Sequence, residues 1–555
     1  MKHKLWICAL VCVLIALFCA AAGAAQYHAV PRTERYIDHI VNADADSTIG
    51  VTTIPDDHMV GADFVSHLPL VVIDTGGQEI VSYTKYNSET DAFEIPEGID
   101  PYVPMHISVY DSADHRNSPA DEAALTSAGR IKVRGNSSSS DDLPKFQYTL
   151  KLETEDGDEQ PLSMMGIGTD DTWILSPTVR DLSRVRNYIA YNITGQVKEF
   201  QPDLRYCEVL FYNNGSYYYN GIYMMCESVK VSTDRINISK DSSKYHVGQG
   251  YLLRKDRYDP TAVTLNTWAT GEGYYDLSTE EHVNRSFFTL EYPKNENATA
   301  DIVENITKDL SQIEYMLYSN KETSYLTLNK TLDLQSFADF FIFNEFFASY
   351  DAGLHSTFFY KDSGGKLTAG PYWDFDGAMD NSQRDLTDEN YIVLADYPWM
   401  SQLLSYSQFK SLVEQRYREL RKTILSDEYI EKMIWDTQAY LGNALLREQS
   451  AFKDYIYYLG TFGEGATGLP IARTQKTPEA EAQRIIDFLH LHGKYMDENI
   501  SELQSYATYP AKSSTNAVIA TLIILAFLVS TILVRRYRYI KQFNFLEWRN
   551  VYEER

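Results

Sequence analysis

The 555-residue chain carries 77 Asp and Glu against 50 Lys and Arg, a formal net charge of −27. That balance argues against nucleic-acid binding, which needs a basic footprint. Of five cysteines, three (Cys8, Cys12, Cys19) fall near the N-terminus, so only Cys207 and Cys226 remain for the bulk of the chain. A domain of that size with two cysteines must rest on an ordinary hydrophobic core rather than on disulfides. A Cys207–Cys226 bridge stays open as an expectation.

In chain order, Lys2 and Lys4 precede an apolar run from Leu5 to Ala22 and the small residues Ala22-Gly23-Ala24. This is the pattern of a signal peptide (residues 1–25) or an uncleaved anchor. A polar segment follows at 26–66, with helix-like spacing over Glu34–Ala43. Strand-like pieces come next at Leu68–Asp74, Met105–Tyr110, Gly129–Val133 and Phe146–Leu152, the last alternating as a half-buried strand should. Ser183–Val197 has helical spacing. Tyr206–Tyr212 and Tyr217–Glu227 flank Asn214-Gly215, the signature of a hairpin turn. The polar stretch Lys230–Thr299 reads as a loop-rich insertion with one strand at Gly250–Leu253. Helices are expected at Asp301–Tyr318, Leu334–Phe347, Ser407–Leu425, Asp427–Phe452 and Thr477–Tyr506, with a short strand pair at Thr357–Tyr360 and Leu367–Ala369. The layout is α+β, sheet-rich first and helical later, over 67–509.

Ala517–Val534 is an uncharged run long enough to span a bilayer core of ~30 Å. Arg535, Arg536, Arg538 and Lys541 follow at once. The basic flank predicts a single-pass protein with a cytoplasmic tail at 535–555 and its large acidic domain outside.

Two acidic clusters carry the candidate chemistry: Asp351 with His355 and Ser356 after the apolar helix, and Trp373-Asp374-Phe375-Asp376. The intervening hairpin returns the chain to its start, so Asp351 and Asp374 are expected to face one space. Converging carboxylates suit a divalent metal or an acid/base pair. Asx turns and helix caps explain Asp374 and Asp376 equally well. Upstream, Lys132 and Arg134 lie on one strand and Lys145 opens the next. Each of these, like Glu227, is individually an ordinary surface residue.

Taken together, the segments Ile131–Ser138 (IKVRGNSS), Pro144–Leu152 (PKFQYTLKL), Trp173–Leu175, Asp181–Asn187, Asn214–Glu227, Asn344–Ser356 and Gly370–Asp376 (GPYWDFD) resemble the spore-coat-protein-H (CotH) family of atypical protein kinases, in family order. The resemblance implies a two-lobed kinase-like fold using ATP and Mg²⁺ (or Mn²⁺). It implies that Lys145 contacts ATP phosphates and pairs with Glu227, and that Arg134 and Gly135 cradle phosphate. Asp351 would serve the acceptor hydroxyl, and Asp374 would hold metal. Ser356 stands where founding members have an asparagine as second metal ligand, so Asp376 or Asn381 is a candidate substitute. The expected activity is phosphoryl transfer to Ser or Thr of exported or surface proteins, with spore coat as one setting. A catalytically weak surface scaffold is the alternative. Glycosyl chemistry, suggested only by the Asp374-Phe375-Asp376 pattern, is a third class.

Overall fold

The computed structural model of the chain describes residues 45–505, apart from 88–91, 136–142, 240–248, 272–285, 382–391, 454–474 and positions 178, 260, 320, 322 and 350. The leader at Leu5–Ala22, the helix at Glu34–Ala43 and the span at Ala517–Val534 lie outside the described residues. Among the described residues, no helix is long and apolar enough to cross a membrane.

Among the described residues, the main sheet of the N-terminal part has eight strands: β1 (Leu70–Asp74), β2 (Val103–Tyr110), β3 (Leu125–Val133), β4 (Tyr148–Glu153), β5 (Thr172–Ser176), β6 (Leu204–Asn213), β7 (Ser216–Glu227) and a two-residue strand, Met59–Val60, paired with the start of β7. Strands β1 to β7 pair in the order β7-β5-β4-β3-β2-β1-β6, and β6 pairs back onto β7, so the sheet closes on itself. All neighbours are antiparallel except β1 and β6, which run parallel. Alternation decides which residues fill the barrel. On β3, Ile131 and Val133 point in, while Arg130 and Lys132 point out. On β4, Tyr148, Leu150 and Leu152 point in, and Thr149 and Lys151 out. The Asn214-Gly215 turn is present, with φ of 50° and 91°, the positive values that make a two-residue turn match strand twist.

Cys207 sits inside the barrel and Cys226 on its outer wall against the helical part. Their registers differ too, Cys207 lying opposite Tyr223 and Cys226 opposite Leu204. Both thiols are free and buried, so the bridge left open above does not form.

The stretch expected to be a loop-rich insertion is instead built into a second sheet. Strands β8 (Tyr251–Asp256), β9 (Thr264–Leu265) and β10 (Phe287–Tyr292) join β11 (Thr357–Lys361) and β12 (Leu367–Ala369), in the order β9-β10-β8-β11-β12. The physical reason is non-local: Leu253, Phe288 and Leu290 share one buried core, in which Leu253 pairs with Phe359 and the Phe288 ring packs on Phe359 and Trp399.

Among the described residues are eight α-helices of seven or more residues: α1 (Arg186–Thr194), α2 (Ala300–Tyr318), α3 (Ser324–Thr331), α4 (Leu334–Phe346), α5 (Pro398–Leu404), α6 (Ser407–Leu420), α7 (Asp427–Ala451) and α8 (Pro478–Asn499). Helix α4 is buried on nearly all faces, with Phe337, Phe341, Phe343 and Phe346 fully buried and its polar Asp339, Asn344 and Glu345 buried with partners, as a central core helix must be. Ser426 caps α7 by accepting from the Tyr429 N–H, and Thr477 caps α8 by accepting from Ala480, with Pro478 in the first turn. Helix α7 is kinked at Gly442, where φ is 41°. There Ser47 packs into the break, and its carbonyl accepts the Asn443 N–H at 2.8 Å. Beyond the kink, the last turns of α7 dock on the barrel through two buried ion pairs: Arg447 with Glu208 (2.6 Å) and Glu448 with Lys145 (2.5 Å).

Candidate active site

The site assembles where α4 ends. The chain leaves the helix through Phe347 and Ala348 and turns at Asp351, whose carbonyl accepts the N–H groups of Leu354 (3.0 Å) and His355 (2.7 Å). The turn is held from outside. Lys255 on β8 donates from Nζ to the Gly353 carbonyl at 2.8 Å, and the Gly353 N–H donates to Thr357 Oγ1 at 2.7 Å. Lys255 is itself buried, and that burial lowers its ammonium to about 8.

The second acidic segment is clamped by α1. The Phe375 N–H donates to Asn187 Oδ1 at 2.7 Å, and the Asp374 N–H to the Tyr191 hydroxyl at 3.3 Å. Arg186 donates to the carbonyls of Ala378 (3.0 Å) and Met379 (3.1 Å) while ion-paired to Asp181 and Glu481. A bond from the Met379 N–H to the Phe347 carbonyl, 2.7 Å, ties this segment to the end of α4. Asp374 takes φ of 69° and Ser356 φ of 48°. Both are left-handed conformations that an L-residue holds only when its surroundings impose them.

The two segments meet as expected. Ser356 Oγ donates to Asp374 Oδ2 at 3.0 Å. Burial pushes the Asp374 carboxyl well above the carboxylate range, and the nearby Asp376 and Asp351 push it in the same direction. Asp351, Ser356, Asp374 and Asp376 thus share one electrostatic neighbourhood. Carboxylates crowded so that one resists ionisation are what a bound cation relieves, and carboxylate plus hydroxyl oxygens are hard donors suited to Mg²⁺. As they stand, however, no group of three or more His, Cys, Asp or Glu among the described residues is arranged to hold a metal together. The donor chemistry fits, but the ligand geometry is not preformed.

Arg134, at the end of β3's outward row, lies with its guanidinium 5.8 Å from the Trp373 ring centre. Burial lowers its pKa, and the nearby Arg254 adds to that. Gly135 follows with φ of 95°. Between the barrel wall and Trp373–Asp374 is a cavity of ≈ 30 Å³, lined by Gln147, Ser176, Asn187, Tyr191 and Cys226 among others. That is about the share of one water molecule in the liquid.

Lys145 and Glu227 do not pair. Glu227 follows Cys226 on β7, so alternation turns it away from the cleft wall, and its Oε2 accepts the Asp203 N–H at 2.8 Å. Lys145 instead bonds Glu448 at 2.5 Å and the Ile222 carbonyl at 2.9 Å. Glu448 also binds Arg184 (3.0 Å) and the Ile222 N–H (2.8 Å). Glu448, Asn187, Tyr191 and Lys255 are the site-building residues that sequence reasoning gave no role. For Asn187 a signal existed, since it closes the Asp181–Asn187 segment. Nothing local marks Glu448.

A carboxylate on the turn after a core helix and a second acidic segment facing it form the acidic half of the site. The family model described as CotH kinase protein matches residues 131–496. The chain belongs to the CotH kinase protein family. No curated protein matches it significantly.

Proposed function

We propose that the protein is a protein kinase that transfers the γ-phosphate of ATP to Ser or Thr residues of exported or surface proteins. The observation that carries this reading is the convergence of Asp351, Ser356 and Asp376 on the half-buried carboxyl of Asp374. Asp374, Asp376 and Ser356 would hold the divalent cation, which supplies charge neutralisation at the transferring phosphoryl group. Asp351, at the turn, would accept or orient the acceptor hydroxyl proton. Arg134 and the Gly135 backbone would meet phosphate oxygens, with Trp373 stacked beneath the guanidinium. Lys145 stays pinned by Glu448, so its part is to set the barrel against α7 and to offer positive potential rather than a free ammonium. The N-terminal run and the Ala517–Val534 span put the site outside the cytoplasm in this reading. Nucleotide must then reach it there, and the substrates are proteins near that membrane face.

The test is incubation of the purified full-length protein with labelled ATP, Mg²⁺ or Mn²⁺ and a Ser-rich protein, beside Asp374→Ala. Transfer by the wild type alone supports the proposal. Equal background from both would sink it.

A further inference from the structure

In a chain this acidic, one patch stands out by sign. The outward row of β3 runs Arg130, Lys132, Arg134, and Lys151 lies opposite Arg130 on β4. Three of these cations surround one ring: Arg130 Cζ at 5.2 Å, Lys132 Nζ at 5.0 Å and Lys151 Nζ at 5.0 Å from the Tyr102 centre. Arg130 and Lys132 floor an open groove of ≈ 650 Å³ whose other wall is the loop from Ile95 to Tyr102, and Lys151 flanks it across the Tyr102 ring. Arg130 is satisfied by Glu153 at 2.6 Å. Lys132 and Lys151 form no ion pair among the described residues, though each is half-buried. Burial lowers the Lys132 amine, and Arg134 and Lys151 beside it add repulsion. Two unpaired, crowded lysines are an arrangement that folding alone disfavours and an anionic ligand would relieve.

Position and rim narrow the ligand. Residues two apart on a strand are ~6.6 Å apart, so Lys132 lies one such step outward from Arg134 at the cleft. The groove therefore receives what projects from the cleft, not what fills it. Glu97 and Asp100 stand on the covering loop, which limits the patch to one or two anionic groups and opposes a polyanion. We propose that the Tyr102–Lys132–Lys151 groove docks acidic side chains of the polypeptide substrate, placed within a few residues of the acceptor Ser or Thr. This rests on the kinase reading for its substrate, but not for its binding measurement.

The experiment uses full-length protein and fluorescent peptides carrying one Ser, with Glu, phosphoserine or Gln placed two to four residues to either side. Binding is read by anisotropy and transfer by label, for wild type, Lys132→Ala/Lys151→Ala and Lys132→Glu/Lys151→Glu. The wild type is expected to bind the Glu or phosphoserine peptides at least tenfold tighter than the Gln peptide. The double alanine variant should lose that ratio, and the double glutamate variant should prefer a Lys-bearing peptide. Preference for phosphoserine alone would assign the anion to a prior phosphorylation, and equal preference to any acidic side chain. Equal binding of Glu, phosphoserine and Gln peptides to the wild type would overturn the proposal. So would a variant that weakens ATP but no peptide, or single-stranded DNA that competes as well as the acidic peptide. Charge-dependent binding without transfer to any peptide would leave the groove standing and remove the kinase.

Discussion

Lys145 and Glu448, 303 positions apart in sequence, form a 2.5 Å ion pair with both side chains almost wholly buried. The pair joins the segment before β4 to the last turns of α7. Removing one partner leaves an uncompensated buried charge, which typically costs about 3–5 kcal/mol. Glu448→Gln is expected to lower stability by roughly that amount in chemical denaturation, and Lys145→Met/Glu448→Met to recover part of it. Full recovery is not expected, because Arg184 also loses its ion pair with Glu448. Both variants should lose phosphoryl transfer. A double variant no more stable than the single would show that the pair is not the source of the loss.

Lys255 offers a separation of stability from turnover. Its ammonium is held at about 8 by burial, against 10.5 for the free side chain. A charge buried below its ordinary pKa costs stability at neutral pH. As pH rises from 8 to 10.5 the unfolded chain holds the proton longer than the folded one, so folding is favoured by up to ~3 kcal/mol from this group. Lys145, also lowered to about 8, contributes in the same window. Lys255→Met should flatten this rise and raise the melting temperature at pH 7. Since the Gly353 carbonyl loses its donor, kcat should fall roughly tenfold, with the KM for ATP little changed. An unchanged kcat would show that the Asp351 turn needs no support from β8.

Glu345, buried on α4, behaves in the opposite sense. Burial raises its carboxyl to about 8, although it accepts the Leu394 N–H at 2.7 Å and the Val393 N–H at 3.0 Å. A carboxyl raised above its unfolded value contributes stability that is complete below pH 4.5 and is lost as pH climbs through 8. The loss across that window is on the order of a few kcal/mol. Glu345→Gln should remove this slope from the stability–pH curve, at a cost of about 1 kcal/mol for the amide facing one N–H. A slope that survives in the variant would place the titration elsewhere.

Trp373 forms one wall of a cavity of only ≈ 30 Å³, too small for a nucleotide base. If ATP binds at Asp374, the indole has to move. Addition of ATP with Mg²⁺ is expected to change tryptophan emission, and Trp373→Phe should abolish most of that change despite the other tryptophans. An equal change in the variant would locate nucleotide binding away from this cleft.

How far the sequence foresaw all this depended on how local each feature is. The alternation of Phe146–Leu152, the Asn214-Gly215 turn and the aromatic run of α4 are short-range patterns, and they appear in the structure within a few residues of their expected bounds. The hairpin between Ser356 and Ala369 brought Asp351 and Asp374 together for the same reason. Glu448 is different: its role exists only once the kink at Gly442 has aimed the end of α7 at the barrel. The second sheet was hidden likewise, because β10 pairs with β8 about thirty to forty residues upstream, and β8 in turn with β11 about a hundred residues downstream. Glu227 was assigned by motif, but Lys145 meets that strand at Ile222 and Tyr223, four to five residues before it.

The closure of β6 onto β7 has a further consequence. Many proteins that modify peptides capture them by lending a free strand edge, so that backbone hydrogen bonds supply affinity with little regard to sequence. In this barrel the part of β7 that β5 does not reach is taken up by Met59–Val60 and by Lys145 and Glu448 at Ile222. A peptide approaching this wall meets side chains only, so recognition there is a matter of charge and shape at particular positions. Grip without sequence reading is not available to it.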